Sequence, residues 1–139
     1  MSGQGDAARA RLTADAFVYI AASRTLELIK IGWAKGSNQG NRMQSLARDG
    51  YGGASDWLLL YERKYQNSGW VEIDAHKLLN KYRVRENYLR LQHGEYKKAK
   101  ELFTCNYSDA FEAVERTIHL PLEGRYERHD AKTNYNYRI

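Results

Sequence analysis

The chain has one cysteine, one proline and no long uninterrupted apolar run in its 139 residues. A lone thiol, Cys105, excludes an internal disulfide framework and a four-cysteine zinc knuckle. It reads as a small core residue, and the chain as cytosolic or nuclear rather than secreted. The four histidines, His76, His93, His119 and His129, show no ligand spacing with one another or with Cys105, so no zinc site is expected. No apolar stretch approaches a membrane span, and Met1–Asp6 has no basic region leading into an apolar one. These absences predict a soluble, cytoplasmic protein, nuclear if eukaryotic, with no membrane partner. Internal repeats and low-complexity tracts are missing as well.

What is present is an excess of positive charge, with 22 Lys and Arg against 17 Asp and Glu, a net charge of +5. Much of it is local. Lys81 to Lys100 holds seven Lys or Arg against Glu86 and Glu95, and Tyr82, Tyr88 and Tyr96 are spaced among them. Cations that hold phosphates, interleaved with rings that stack on bases or sugars, suit a nucleic-acid surface. The plainer reading of the same segment is a solvated loop and helix face. The candidate phosphate contacts are Lys35, Arg83, Arg85, Arg90, Lys97, Lys98 and Lys100.

The length fits one domain. Residues 1–14 are small and polar and read as a flexible lead-in. Residues 16–22 and 26–33 are rich in aliphatic and aromatic residues and are joined by Ser23-Arg24-Thr25, which predicts an antiparallel hairpin. After the loop from Lys35 to Gly40, Asn41 and Gln44 form a capping pair for a helix with Met43, Leu46 and Ala47 inward and Gly50 as its stop, so Arg42 falls in its first turn. Trp57–Tyr61, continued by Arg63 and Tyr65, reads as a third, central strand.

Asn67 or Ser68 can cap the next helix, with Val71, Ala75, Leu78, Leu79 and Tyr82 along one stripe. Glu72 and His76 lie one position on, about 100° round the helix, at the edge of that stripe. Residues 83–100 read as a loop leading to a short basic helix, and Glu101–Cys105 as a short strand or a core-docking segment. Ser108 and Asp109 start a last helix with Ala110, Phe111, Val114 and Ile118 inward, ending before Pro121. Residues 121–139 read as a basic and aromatic arm that lies on the domain or stays mobile. The expected architecture is a small α/β (α+β) fold, a three-stranded antiparallel sheet flanked by helices.

Tyr19 and Lys30 are polar residues embedded in the two apolar hairpin runs, and a hairpin this tight can point both into one site. Arg42, Glu72 and His76 follow in compact order, so a hydroxyl, an amine, a guanidinium and a carboxylate are gathered, as phosphodiester cleavage requires. The bland alternatives are cross-strand packing for Tyr19 and Lys30 and an exposed i, i+4 pair for Glu72 and His76.

Val18-Tyr19-Ile20, then Lys30-Ile31-Gly32, then Arg42 on a helix, then Glu72 in Val-Glu-Ile-Asp-Ala-His, with Glu101-Leu102-Phe103 as a closing element, resemble the GIY-YIG endonuclease superfamily over roughly residues 16–105. The nearest likeness is its phage and restriction-type branch with a lysine opening the second motif. Val18 stands in the glycine slot of the first motif and Lys30 in the tyrosine slot of the second.

The resemblance implies a nuclease domain over residues 15–120 with catalytic Tyr19, Lys30, Arg42, Glu72 and His76. It also implies one Mg²⁺ or Mn²⁺ held by Glu72 and waters. Arg42 would offer its fork of donors to the non-bridging oxygens. Either Tyr19 is the base and Lys30 the neighbouring cation that favours its phenolate, or Lys30 is itself depressed by burial and shares the task. The implied function is a divalent-metal-dependent DNA endonuclease, cleaving or nicking. Its rival is an inert nucleic-acid-binding module of the same fold. With no separate DNA-reading domain, specificity is loose or needs a partner or a dimer.

Overall fold

The computed structural model describes residues 9–39, 43, 48, 50–84, 89–92, 95–98, 101–122 and 124–138, with backbone alone at 89–92 and 95–98. The expected hairpin forms between β1 (Ala16–Ser23) and β2 (Leu28–Ala34). Its turn is one residue longer than the sequence suggested and takes in Leu26 and Glu27, the latter at φ 53°. Asp56 fastens that turn, accepting hydrogen bonds from the Ser23 hydroxyl at 2.5 Å and from the Thr25 backbone N–H and hydroxyl at 2.9 Å each.

β3 (Leu58–Tyr65) pairs with the other edge of β1, so β1 is the central strand. A register shift after Ile20 leaves Leu60 without a partner: Ile20 faces Tyr61 while Ala21 faces Leu59. Such a bulge bends the strand locally. A three-stranded sheet was expected, and among the described residues this sheet has five strands, because two later segments add to its edges. β6 (Leu102–Phe103) pairs with β2 and β7 (Tyr126–Glu127) with β3, giving an all-antiparallel order β6-β2-β1-β3-β7.

Where the sequence suggested a short basic helix, β4 (Leu89–Gln92) and β5 (Glu95–Lys98) form a separate two-stranded hairpin instead. β4 runs beside the turn at Tyr51–Gly53. Gly50, Gly52 and Gly53 in and before that turn all take positive φ, a conformation that needs no side chain.

The apolar runs of β1 and β2 are continuous because both sheet faces are covered. Val18, Ile20, Ala22, Ile29 and Ile31 alternate into one buried cluster, and Tyr19, Ala21, Leu28 and Ala34 into a second. The first cluster lies under α1 (Ser68–Leu78) and α2 (Tyr107–Glu115). From α1 it receives Val71 and Ala75, followed by Leu79; Leu78, expected in the same stripe, is 47% exposed. α2 starts at Tyr107, one residue earlier than expected, where Asp109 accepts a hydrogen bond from the Asn106 backbone N–H at 3.0 Å. It buries Ala110, Ala113 and Val114, whereas Ile118, expected inward, lies past the helix end and is 93% exposed. Cys105 is buried in this cluster, as expected.

The segment after Pro121 packs on the domain. Leu122 and Arg128 donate backbone hydrogen bonds to the carbonyls of Lys64 and Leu60. Ala131, at the start of α3 (Ala131–Asn134), and Tyr135 are buried in the first cluster. Among the described residues no helix is long and apolar enough to cross a membrane.

Candidate active site

Ala21 faces Lys30 and Tyr19 faces Gly32 in the β1–β2 register, so Tyr19 and Lys30 lie on one face of the sheet, as the hairpin predicted. The Lys30 ammonium donates to the Tyr19 hydroxyl at 2.5 Å and to the Glu101 carboxylate at 2.8 Å, and it lies 5.0 Å from the centre of the Tyr51 ring. Both side chains are buried. Burial alone would lower the Lys30 pKa, but Tyr19, Glu101 and Tyr51 around it outweigh that and raise it above the ordinary lysine value. Lys30 is therefore an ammonium at neutral pH, which disfavours the alternative in which burial depresses it.

Gly32 makes this arrangement feasible. A Cβ at residue 32 would lie 2.5 Å from the Lys30 Nζ and 2.5 Å from the Tyr19 hydroxyl, so the absence of a side chain leaves the room in which they meet.

Glu72 and His76 project one turn apart from α1. Glu72 is buried, deeper than the edge position its helical phase suggested. Its Oε1 receives the Arg11 guanidinium at 2.5 Å, while its Oε2 is buried with no hydrogen-bond partner and lies 3.9 Å from His76 Nε2. His76 Nε2 is 2.9 Å from the Ile31 carbonyl oxygen, which can only accept, so this nitrogen carries the proton. Burial lowers the His76 pKa, which keeps the ring neutral.

Glu101 links the two halves. Its Oε2 meets Lys30 and its Oε1 lies 3.9 Å from Arg11. Burial pushes the Glu72 carboxyl up to about 7, with the like charge of Glu101 adding to the rise and Arg11 and Lys30 opposing it. Burial acts against Glu101 too, but there the adjacent Lys30 charge and hydrogen bond win and hold it down at about 2. One carboxylate is thus firmly ionised and the other is poised near neutrality.

No three His, Cys, Asp or Glu side chains gather as a metal cage among the described residues. A single carboxylate with a spare buried oxygen fits a different ion. Mg²⁺ and Mn²⁺ keep most of their waters and need one or two carboxylates, and the unpartnered Oε2 of Glu72 is such an atom.

Of the residues singled out from sequence, Tyr19, Lys30, Glu72 and His76 come together here. Arg42 lies outside the described residues, as do Arg85 and Lys100 and the side chains of Arg90, Lys97 and Lys98. In the backbone, Arg90 and Lys97 are register partners in the β4–β5 hairpin. Lys35 is exposed just after β2. Arg83 donates to the Asn80 side chain at 3.3 Å and covers the Phe103 ring.

Three site residues had no place in the sequence reading of the site. Glu101 was legible as the first residue of a short segment and of the closing Glu101-Leu102-Phe103 element, with no role in the site. Arg11 sits in a polar lead-in with no local pattern to mark it. Glu62 faces Tyr19 across β1 and β3 and accepts hydrogen bonds from the Ser37 hydroxyl at 2.5 Å, the Asn38 backbone N–H at 2.7 Å and the Gln39 amide at 3.3 Å. It thereby pins the loop leading out of β2 to the site's own row of the sheet.

No curated protein and no solved structure matches the chain. Residues 16–118 match the T5orf172 domain, which corrects the resemblance to the GIY-YIG superfamily: this is a distinct family. The tripeptides behind that resemblance are short, and two of their defining slots held Val18 and Lys30 instead of the expected residues. The match includes Tyr19, Lys30, Glu72, His76 and Glu101, and leaves out Arg11 and the C-terminal segment. It spans well over half of the chain, which therefore belongs to the T5orf172 domain family, a phage-associated kind of domain of nuclease or DNA-binding type.

Proposed function

We propose that the protein is a divalent-metal-dependent DNA endonuclease that hydrolyses a phosphodiester, cutting or nicking a strand. The observation that supports this most directly is the Tyr19 hydroxyl held at 2.5 Å from a buried lysine ammonium. A carboxylate with an unpartnered oxygen on the same charge chain completes the picture. Tyr19 acts as the base that takes a proton from the attacking water, with the Lys30 ammonium hydrogen-bonded to its oxygen. Glu101 keeps Lys30 charged and in place. Glu72 would hold Mg²⁺ or Mn²⁺, and a cation bound there supplies charge to polarise the phosphate and stabilise the departing 3′ oxygen. His76, neutral and anchored to Ile31, orients water or phosphate. Arg42 offers a planar fork to the non-bridging oxygens. The DNA is held along Lys35, Arg83 and the basic stretch from Arg85 to Lys100.

A supercoiled-plasmid assay with and without Mg²⁺ or Mn²⁺ tests the reading. Nicked or linear product that requires the metal and disappears in Tyr19→Phe supports it. Salt-dependent DNA binding with no cleavage under either metal would replace it with an inert nucleic-acid-binding module.

A further inference from the structure

The N-terminal segment outside the family match is docked against the site. The Ala14 carbonyl accepts from the Ser68 backbone N–H at 3.0 Å and from the Ser68 hydroxyl at 2.6 Å, and that hydroxyl in turn accepts from the Trp33 indole N–H at 2.8 Å. Gly69 allows the approach. A Cβ there would lie 2.6 Å from the Arg11 carbonyl oxygen and 2.6 Å from the Leu12 Cα, backbone that cannot swing aside as the end of a side chain could. So placed, Arg11 lays its guanidinium 4.7 Å from the centre of the Trp33 ring and reaches Glu72 at 2.5 Å.

We propose that Arg11 is a displaceable active-site arginine: it occupies Glu72 in the metal-free protein, yields that carboxylate to a divalent cation, and then binds the non-bridging oxygens of the scissile phosphate. The inference rests on the endonuclease reading of the site. Three observations carry it. Arg11 takes one oxygen of Glu72 and leaves the other without a partner, so the carboxylate is only half satisfied by the contact. With Arg11 in place, Lys30 and Arg11 face the carboxyl groups of Glu72 and Glu101; when it turns away, the two carboxyl groups face Lys30 alone, which leaves a place for a second cation. The guanidinium side chain is 39% exposed, and so free to turn outward while its backbone stays fixed beside Gly69. Its planar fork matches two phosphate oxygens, which an ammonium does not.

The test compares the full-length wild type with Arg11→Gln, Arg11→Lys and Glu72→Gln, measuring Mn²⁺ affinity by calorimetry and single-turnover plasmid cleavage at saturating Mn²⁺. Arg11→Gln should bind Mn²⁺ at least fivefold more tightly than wild type yet cleave at least tenfold more slowly. Arg11→Lys should keep part of the competition while losing cleavage, and it carries the test should Arg11→Gln not fold. If Glu72→Gln abolishes Mn²⁺ binding but both Arg11 variants bind and cleave as wild type does, the inference is overturned and the endonuclease reading stands. Tighter Mn²⁺ with undiminished cleavage overturns the phosphate role. If wild type binds Mn²⁺ no better than Glu72→Gln, the site reading fails and this inference with it.

Discussion

Gly32 lies opposite Tyr19 in the β1–β2 register, and the space its side chain does not fill is where the Tyr19 hydroxyl meets the Lys30 ammonium. Both groups are buried and in contact, so neither can retreat freely. Gly32→Ala is expected to cost about 1–3 kcal/mol of stability, the usual penalty of overpacking, and to reduce cleavage at least a hundredfold. Thermal denaturation with a nicking assay checks both, and a wild-type profile in each would show that the pocket has slack.

Tyr19→Phe keeps the ring and removes the oxygen, so cleavage should fall to background while the melting temperature changes little. Lys30→Met removes the partner of Tyr19 and Glu101 together. It should also abolish cleavage, and it should destabilise by about 1–3 kcal/mol because the Glu101 carboxylate loses its charged donor. Full activity in Tyr19→Phe would remove Tyr19 as the base.

The two carboxylates impose opposite pH dependences on the metal-free protein. Glu101 is lowered to about 2, so its stabilisation is present above the ordinary carboxylate pKa of 4.5 and is lost as pH falls towards 2. Glu72 is raised to about 7, so between 4.5 and 7 the folded state holds a proton that the unfolded state has released, and stability falls as pH rises through that window. Glu72→Gln should remove the second effect. Relative to wild type it should gain on the order of 2 kcal/mol between pH 5 and pH 8 by denaturant titration, while metal-dependent cleavage is abolished. An unchanged difference between the two pH values would count against a poised Glu72.

Neutralising Arg90, Lys97 and Lys98 together should weaken binding to all DNA sequences alike. The slope of log affinity against log salt should fall by about one unit for each phosphate that no longer meets a cation. A fluorescence-anisotropy titration at several salt concentrations reads this. Unaltered affinity and slope would place the DNA path elsewhere on the surface.

Tyr135 lies outside the family match yet is 2% exposed, and its backbone carbonyl accepts from the Tyr107 N–H at 3.0 Å at the start of α2. Tyr135→Ala should destabilise the domain by about 3–5 kcal/mol, as large aromatic truncations in a core do. Thermal unfolding indistinguishable from wild type would mean that the C-terminal segment is an appendage and not part of the core.

The sequence by itself determined what local chemistry determines. Two apolar runs with one polar residue each specify the β1–β2 hairpin and the shared face of Tyr19 and Lys30, because side-chain direction in a strand depends only on counting by two. The stripe of Val71, Ala75 and Leu79 specifies α1, and with it the spacing of Glu72 and His76. Short motifs were a poorer guide to kinship: Val18-Tyr19-Ile20 and Lys30-Ile31-Gly32 suggested the GIY-YIG superfamily where residues 16–118 match the T5orf172 domain, a distinct family. Only the tertiary structure decided the rest. The short strand expected within Glu101–Cys105 forms at Leu102–Phe103, but its place beside β2, and the existence of the two-residue β7, were decided by the sheet edges that recruit them. The raised pKa of Lys30 depends on Tyr19, 11 positions away, and on Glu101, 71 positions away, which together with Tyr51 prevail over the desolvation that burial alone would impose. Arg11 meets Glu72 across 61 positions because Gly69 lets one backbone lie against another, an approach that no pattern around residue 11 could announce.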